Sequence, residues 1–316
     1  MKYVWGVDVG GTSVKIGFFR ETGELEEHFE IKTRKEEAGK YILPDIADAI
    51  LKYMKDKAIS KEDVWGIGLA LPGPVDAAGV ITKAVNLGWG VFNVEKAMEE
   101  LTGLDVCAGN DGNLAALGEM WQGAARGYLN AVMITLGTGI GGGIIAEGCV
   151  ISGHKGGAGE IGHVHVNDEE EEACTCGNKG CVEQYASATG IVRMAKRLLA
   201  KDQTPSALRD VADLTSKEVF TAAASGDKIS EEVVRLFGYY LGQAIGSVIT
   251  ILAPDVVVIG GGVSKAGSMV TEAVEKYYRD YTFHVCKDVP LALAQLGNKA
   301  GIYGAARLVI NRYDYD

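Results

Sequence analysis

The chain has 316 residues, a formal net charge of −11, 47% hydrophobic residues, 43 glycines and 6 prolines. That length is enough for two domains, each with its own core. The acidic balance argues against a nucleic-acid partner, because the phosphate backbone demands a basic face.

A strand is predicted over Tyr3–Asp8, then a Gly turn and a second strand, Ser13–Phe19. The apolar run before Asp8 is too short for a signal peptide, so a cytoplasmic protein is expected. A turn near Glu21–Glu24 leads to a third strand, His28–Lys32, and then to a helix over Tyr41–Lys57. Val64–Ala70 is another strand, ending in Leu71-Pro72-Gly73-Pro74. Val94–Leu101 reads as a short helix. Val106–Gly109 is a strand running into Asn110-Asp111, and Asn113–Trp121 is a helix.

The pattern then restarts. Asn130–Leu136 is a strand, Gly137–Gly142 a Gly turn, and Gly143–Ala146 the returning strand. GVDVGGTSVKIGFF and MITLGTGIGGGII thus share one plan, which points to duplicated domains. With no Pro/Ser linker between them, a hinge is expected near residue 111. The acidic run Asp168–Glu172 reads as a solvated loop. Helices dominate from Gln184 to Leu252. Leu236–Pro254 carries no formal charge, but its polar content and the spacing of Gly238, Gly242 and Gly246 favour a soluble helix pressed closely on a neighbour over a membrane span. Val256–Ile259 is a strand feeding Gly260-Gly261-Gly262 and a helix. Leu291–Leu296 is a last strand and Ala300–Asn311 a terminal helix.

The densest chemistry lies between Glu160 and Glu183. Cys174, Cys176 and Cys181 stand two and five residues apart, with His163 eleven residues upstream. Three thiolates and an imidazole form a familiar four-coordinate set for Zn²⁺, and four protein ligands make such a site structural. Gly177 and Gly180 lie where a knuckle needs positive φ. A disulfide or free core thiols are the other readings; a disulfide suits a secreted chain. His154 and His165 read as surface or packing residues. Cys107, Cys149 and Cys286 carry no spacing signal and read as core thiols.

Gly/Thr turns bring consecutive N–H groups close to an anion, so two of them can grip a polyphosphate. Asp8, just ahead of the first turn, is the natural partner for Mg²⁺. Lys15 either adds positive charge there or points to solvent. Gly260–Gly262 offers helix N–H groups to a ligand. None of these matches the P-loop or a full dinucleotide fingerprint. Asp111 at a strand end suits a general base, with Asn110 beside it to hold a hydroxyl. Alternatively, these residues only turn the chain and cap the next helix.

DVGGTSVKIG, LGTGIGGG, GEIGH and CTCGNKGCVE, in this order, closely resemble the ROK family of bacterial sugar kinases and sugar-responsive repressors. LPGPVD, NLGW at Asn86–Trp89, GNDGNLAALGE and GNKAGIYGAA extend the resemblance over about residues 3 to 308. It implies a two-domain α/β fold of the actin-like ATPase class (hexokinase-type, ribonuclease H-like) with a central cleft. The boundaries expected are a smaller domain over 1–110, joined by the C-terminal helix at about 300–316, and a larger one over 111–299 carrying the knuckle.

By resemblance, Asp111 becomes the base that deprotonates a sugar hydroxyl. Gly73, Asn86, Asn110, Asp111, Glu160, His163 and Glu183 form the sugar-binding set. Asp8, Gly10, Gly11, Thr12, Lys15, Gly137, Thr138 and Gly139 match the phosphate and Mg²⁺ segments, and Gly260, Gly261 and Gly262 the adenosine segment. His163, Cys174, Cys176 and Cys181 bind structural Zn²⁺, and Asp8 serves the Mg²⁺ that comes with ATP.

Pro74 after Gly73, followed by NLGW, resembles the glucokinase branch. Glucose and ATP are therefore the expected substrates, with another hexose, an N-acetylated hexosamine or a polyphosphate donor as alternatives. Family repressors carry a DNA-binding segment ahead of the first Gly turn, for which eight residues leave no room. Neither nucleic acid nor membrane is expected as a partner. The family's habit implies a homo-oligomer, a dimer or a tetramer.

Overall fold

The computed structural model describes residues 2–82 and 84–314. The chain forms two compact units. One is Met1–Leu129, Gly143–Gly159 and Gln295–Asp316; the other is Asn130–Gly142 and Glu160–Ala294.

The strands in chain order are β1 (Tyr3–Val9), β2 (Ser13–Arg20), β3 (Leu25–Lys32), β4 (Val64–Leu71), the short pair β5 (Val80–Ile81) and β6 (Phe92–Asn93), β7 (Val106–Asn110), β8 (Ala131–Leu136), β9 (Ile140–Ala146), β10 (Cys149–Val150), β11 (Val256–Gly260) and β12 (Leu291–Leu293). Two five-stranded sheets result, in the orders β3-β2-β1-β4-β7 and β10-β9-β8-β11-β12. The orders correspond strand for strand. In the first sheet β1 pairs antiparallel with β2 and parallel with β4, which is parallel to β7. In the second, β11 runs parallel to both β8 and β12. The repeat in the sequence is therefore a repeat of topology.

The central parallel strands are continuous apolar runs because both of their faces are covered. All five residues of β11 are buried, as are seven of the eight in β4. The outer strand β3 instead alternates exposed acids with half-buried apolar residues, as suits a sheet edge. Its polar start, Leu25-Glu26-Glu27, hides three residues of strand from a hydrophobic pattern. In the first unit Trp5, Val7, Ile16, Ile46, Ile67 and Leu69 are fully buried. A second cluster joins Val4, Phe19 and Cys107 to Ile302, Ala306, Val309 and Ile310 of the Ala300–Asp314 helix. That helix lies directly on the sheet: a Cβ at Gly6 or Gly68 would sit 2.0 Å and 1.9 Å from its Ile302 and Ala305 carbonyl oxygens. The core of the second unit is built on Val132, Ile134, Val257 and Ile259 with Phe237, Leu241 and Ile245.

Those last residues belong to the 25-residue Lys228–Leu252 helix. Among the described residues no helix is long and apolar enough to cross a membrane. The Gly238/Gly242/Gly246 ridge is pressed on Ala273, Tyr277 and Tyr278, with as little as 2.2 Å for an added Cβ.

Four expectations need correction. The acidic run is not uniformly solvated, since Glu170 is buried. Cys149 is exposed and Cys286 half-buried; only Cys107 of the three is a core thiol. Gly260–Gly262 opens a four-residue 3₁₀ turn, Val263–Ala266, and the α-helix begins only at Ser268. The last strand stops at Leu293, because the amides of Gln295 and Leu296 turn to the buried Glu119 carboxylate, at 3.1 and 2.8 Å.

Candidate functional site

In the first unit the predicted residues converge on one edge of a sheet. Asp8, Gly73 and Asn110-Asp111 stand at or just past the carboxyl ends of β1, β4 and β7, which are adjacent parallel strands. Ligands of open α/β sheets bind outside those ends. Lys15 pairs with Asp8 across the β1–β2 hairpin, Nζ to Oδ2 at 3.0 Å, so its charge is turned to the carboxylate and not to solvent. The Gly10-Gly11-Thr12 turn is braced by Thr33, whose hydroxyl donates to the Gly10 carbonyl at 2.7 Å and whose amide donates to the Thr12 carbonyl at 3.0 Å.

Gly11 does not have positive φ, and a Cβ there would meet nothing nearer than 4.0 Å. The fold itself does not demand glycine at this position. The space is what an approaching ligand would use. Asn86 is exposed in a short turn, Val85–Leu87, held from beneath by Trp89, whose indole N–H donates to the Gly39 carbonyl at 3.1 Å.

Asn110 and Asp111 make different contacts. Asn110 is the helix cap: its Oδ1 accepts from the Asn113 amide at 3.2 Å. Its Nδ2 donates to Asp111 Oδ1 at 3.1 Å, and the Gly112 amide adds a bond of 2.8 Å to the same oxygen. Asp111 is thus the exposed first residue of the Asp111–Gln122 helix.

In the second unit His163, Cys174, Cys176 and Cys181 bring their ligand atoms within 4.8 Å of one another. A tetrahedron with bonds of about 2.3 Å to sulfur and about 2.0 Å to nitrogen has S···S edges of about 3.8 Å and S···N edges of about 3.5 Å. Cys176 and Cys181 are 3.7 Å apart, and Cys174 Sγ is 3.6 Å from His163 Nδ1. Those two edges match a zinc tetrahedron, and all six cysteines are free thiols. Gly177 and Gly180 take φ of +91° and +72° to close the knuckle. Burial pushes the Cys181 thiol up, to about 12, so a cation is needed for that sulfur to ligate as thiolate.

Around the knuckle lie the two carboxylates. His163 turns Nε2 toward the exposed Glu160, at 3.9 Å, and Nδ1 toward the three sulfurs. Glu183 touches more than the knuckle. Its Oε1 accepts from Thr175 and Cys174, each at 2.9 Å, while Oε2 accepts from the Ile140 amide at 3.4 Å. A Cβ on Gly139 would meet that Oε2 at 2.8 Å. Glu183 thus joins the knuckle to the second Gly/Thr turn. The turn is docked on the start of the Ala188–Lys201 helix: the Ala188 amide donates to Gly137 O at 2.8 Å, and the Thr189 hydroxyl to Thr138 O at 2.6 Å.

Gly260 ends β11, directly beside β8 and its Gly turn. Gly262 heads a cavity of about 570 Å³ lined by Phe220, Val263, Ala266 and Met269, with Lys217 and Lys265 beside them. An apolar cavity flanked by two ammonium groups suits a flat aromatic base bearing anionic groups. Thr33, Thr189, Lys217, Phe220 and Lys265 escaped the sequence reading. Thr33, Thr189, Lys217 and Phe220 lie far along the chain from the turns or cavity they serve, and Lys265, close to Gly262, carries no motif signal.

The ROK family pattern matches residues 4–312. A glucokinase of Halalkalibacterium halodurans is 43% identical over 309 residues, 96% of this chain and 94% of that protein. A ROK hexokinase structure from Thermus thermophilus superposes with a TM-score of 0.84 at 32% identity, over 99% of this chain and 100% of the other. A ROK family glucokinase from Streptomyces griseus, in complex with glucose and AMPPNP, does so with a TM-score of 0.73 at 33% identity, over 97% and 98%. The paired five-stranded sheets are those of the actin-like ATPase class. With the Gly turns, the carboxylate at a strand end and the Cys/His knuckle in place, the chain belongs to the ROK family.

Proposed function

We propose that this chain phosphorylates glucose to glucose 6-phosphate with ATP·Mg²⁺, using Asp111 as general base. The observation that carries the reading is Asp111 itself: an exposed carboxylate at a helix start and strand end, bonded by Asn110 and Gly112, in a chain 43% identical to a glucokinase over 309 residues.

Asp111 takes the proton of the sugar hydroxyl as its oxygen attacks the γ-phosphorus and the bond to the β-phosphate oxygen breaks. Phosphoryl transfer needs little beyond positioning, charge neutralisation and a base. The sugar-contacting residues proposed are Gly73, Asn86 and Asn110 in the first unit and Glu160, His163 and Glu183 in the second. The amides of Gly10–Thr12 and Gly137–Gly139 hold phosphate oxygens, and Asp8, paired with Lys15, receives the Mg²⁺ that accompanies ATP. The apolar cavity at Gly262 takes adenine, with Lys217 and Lys265 offsetting the charge of ATP within an acidic protein. When bound at Cys174, Cys176, Cys181 and His163, zinc supplies a fixed tetrahedral frame. His163 thereby presents Nε2, and Glu183 its carboxylate, in set positions. The protein is proposed to work in the cytoplasm as a homo-oligomer, a dimer or tetramer.

The test is a coupled ADP-release assay with ATP·Mg²⁺ over a panel of hexoses. Turnover should be highest with glucose. No turnover with any sugar overturns the kinase reading. Equal or better turnover with N-acetylmannosamine or fructose overturns the glucose assignment alone. Inorganic polyphosphate in place of ATP decides the donor.

A further inference from the structure

The loop Val164–Ala173 joins the histidine ligand of the knuckle to its first cysteine, and most of its acids face water. Glu170 does not. Its side chain is only 2% exposed, and every bond it accepts comes from inside the unit. Arg197 gives two, Nη1 and Nη2 each at 3.0 Å; Arg193 gives one at 2.7 Å; the Tyr185 hydroxyl gives one at 2.7 Å; and the Glu172 amide gives one at 3.1 Å.

Arg193 and Arg197 stand four apart on the Ala188–Lys201 helix, and both also pair with Glu172. The network then continues to the far side of the knuckle. Gln184 donates Nε2 to the Glu172 carbonyl at 3.0 Å and accepts the Cys181 amide on Oε1 at 3.1 Å. Asn167 closes the near side by donating to Tyr185 at 2.9 Å. The loop is therefore tied at both ends to the short Glu183–Ala186 helix, and through Glu170 and Glu172 to the Ala188–Lys201 helix, whose first turn carries the second Gly/Thr turn.

We infer that Glu170 is a positioning residue of the knuckle: through Arg193, Arg197 and Tyr185 it fixes the loop that sets His163 against Cys174, and so sets zinc retention and sugar affinity. The inference rests, for its sugar arm, on the reading above. Two guanidiniums on one buried carboxylate define both distance and direction, which a solvated loop of four glutamates would not.

The experiment uses the full zinc-loaded chain and its Glu170→Gln variant. Zinc release to a chromogenic chelator is followed without substrate, together with KM and kcat for glucose and the thermal midpoint. Residues that orient metal ligands typically change metal affinity by about 10–100-fold, so release about tenfold faster is expected from Glu170→Gln. The KM for glucose should rise several-fold with kcat and the KM for ATP nearly unchanged.

Val233→Ala, a core truncation in the same unit, serves as a control for lost stability. It should lower the thermal midpoint without speeding zinc release. Wild-type release and KM in Glu170→Gln overturn the inference. So does equal release from Val233→Ala at a matched midpoint, or a wild-type chain that holds no zinc. A chain that turns over no sugar overturns the functional reading instead, and the zinc arm still decides the role of Glu170.

Discussion

Asp111 and Asn110 are neighbours with separable duties. Asn110 spends its oxygen on capping the helix, so Asp111 is not needed as a cap. Replacing Asp111 with Asn keeps an oxygen able to accept the Gly112 amide and removes only the basicity. Glucose binding by calorimetry should stay within a few-fold of wild type. The turnover number should fall by about 10²–10⁴, the usual contribution of a general base. An Asp111→Asn enzyme with near-normal kcat would remove the base from the mechanism. The sequence pointed to Asp111 as base and Asn110 as hydroxyl partner, but not to which residue caps the helix, because Asn and Asp both cap helices. The hydrogen bonds divide them.

At the scale of elements, the knuckle was the most legible part of the chain. Ligand spacing is set over a few residues, and the two glycines that close it are adjacent to the ligands. Cys176 is exposed, so Cys176→Ser opens no cavity and its cost reports the metal. It should lower the thermal midpoint and raise the KM for glucose together, as should chelation of the wild type; elemental analysis should find about one zinc per wild-type chain. Metal-free protein with an unchanged KM would detach the knuckle from the sugar.

The loop beside it was illegible. Glu169 to Glu172 are four identical residues, and only their register against Arg193 and Arg197 decides which one is buried. That register gives a pH signature. Burial pushes the Glu170 carboxyl up, but the bonds from Arg197 and Tyr185 more than reverse this and hold it at about 2, against an ordinary value of about 4.3. A carboxylate depressed by folding stabilises the fold above its unfolded pKa and loses that effect as pH falls toward the folded one. The stability advantage of wild type over Glu170→Gln should be constant from neutral pH down to about 5, then shrink between about 4 and about 2. Acid strips zinc from both chains, so the difference between their denaturant midpoints is the quantity to follow. A difference flat across that range would refute the ionised clamp.

For the whole molecule, the repeat of two hairpins foretold two sheets of corresponding order, and the Gly turns fell at the carboxyl ends of their strands. The resemblance also implied that the C-terminal helix joins the N-terminal domain; how closely the two pack was not readable. The Ala300–Asp314 helix packs in the first unit, against β1, β4 and the helix that Asp111 begins. Gly304 is the point of closest approach: a Cβ there would sit 1.6 Å from the Leu114 carbonyl and 3.0 Å from the Gly118 amide nitrogen. Both are backbone atoms, so no side chain can swing aside, and Leu114 lies one helical turn from Asp111. Gly304→Val must therefore part the two helices. Overpacking a close-packed core usually costs about 1–3 kcal/mol, and a backbone clash on two sides places this substitution at or above the upper end. Two readouts follow from one displacement. The denaturant midpoint should fall, and kcat should fall more than the KM for glucose rises, because the shifted helix carries the base. Gly304→Val with wild-type stability would show that the helices tolerate separation; a large loss of stability with kcat intact in the folded fraction would show that Asp111 holds its place without the C-terminal helix.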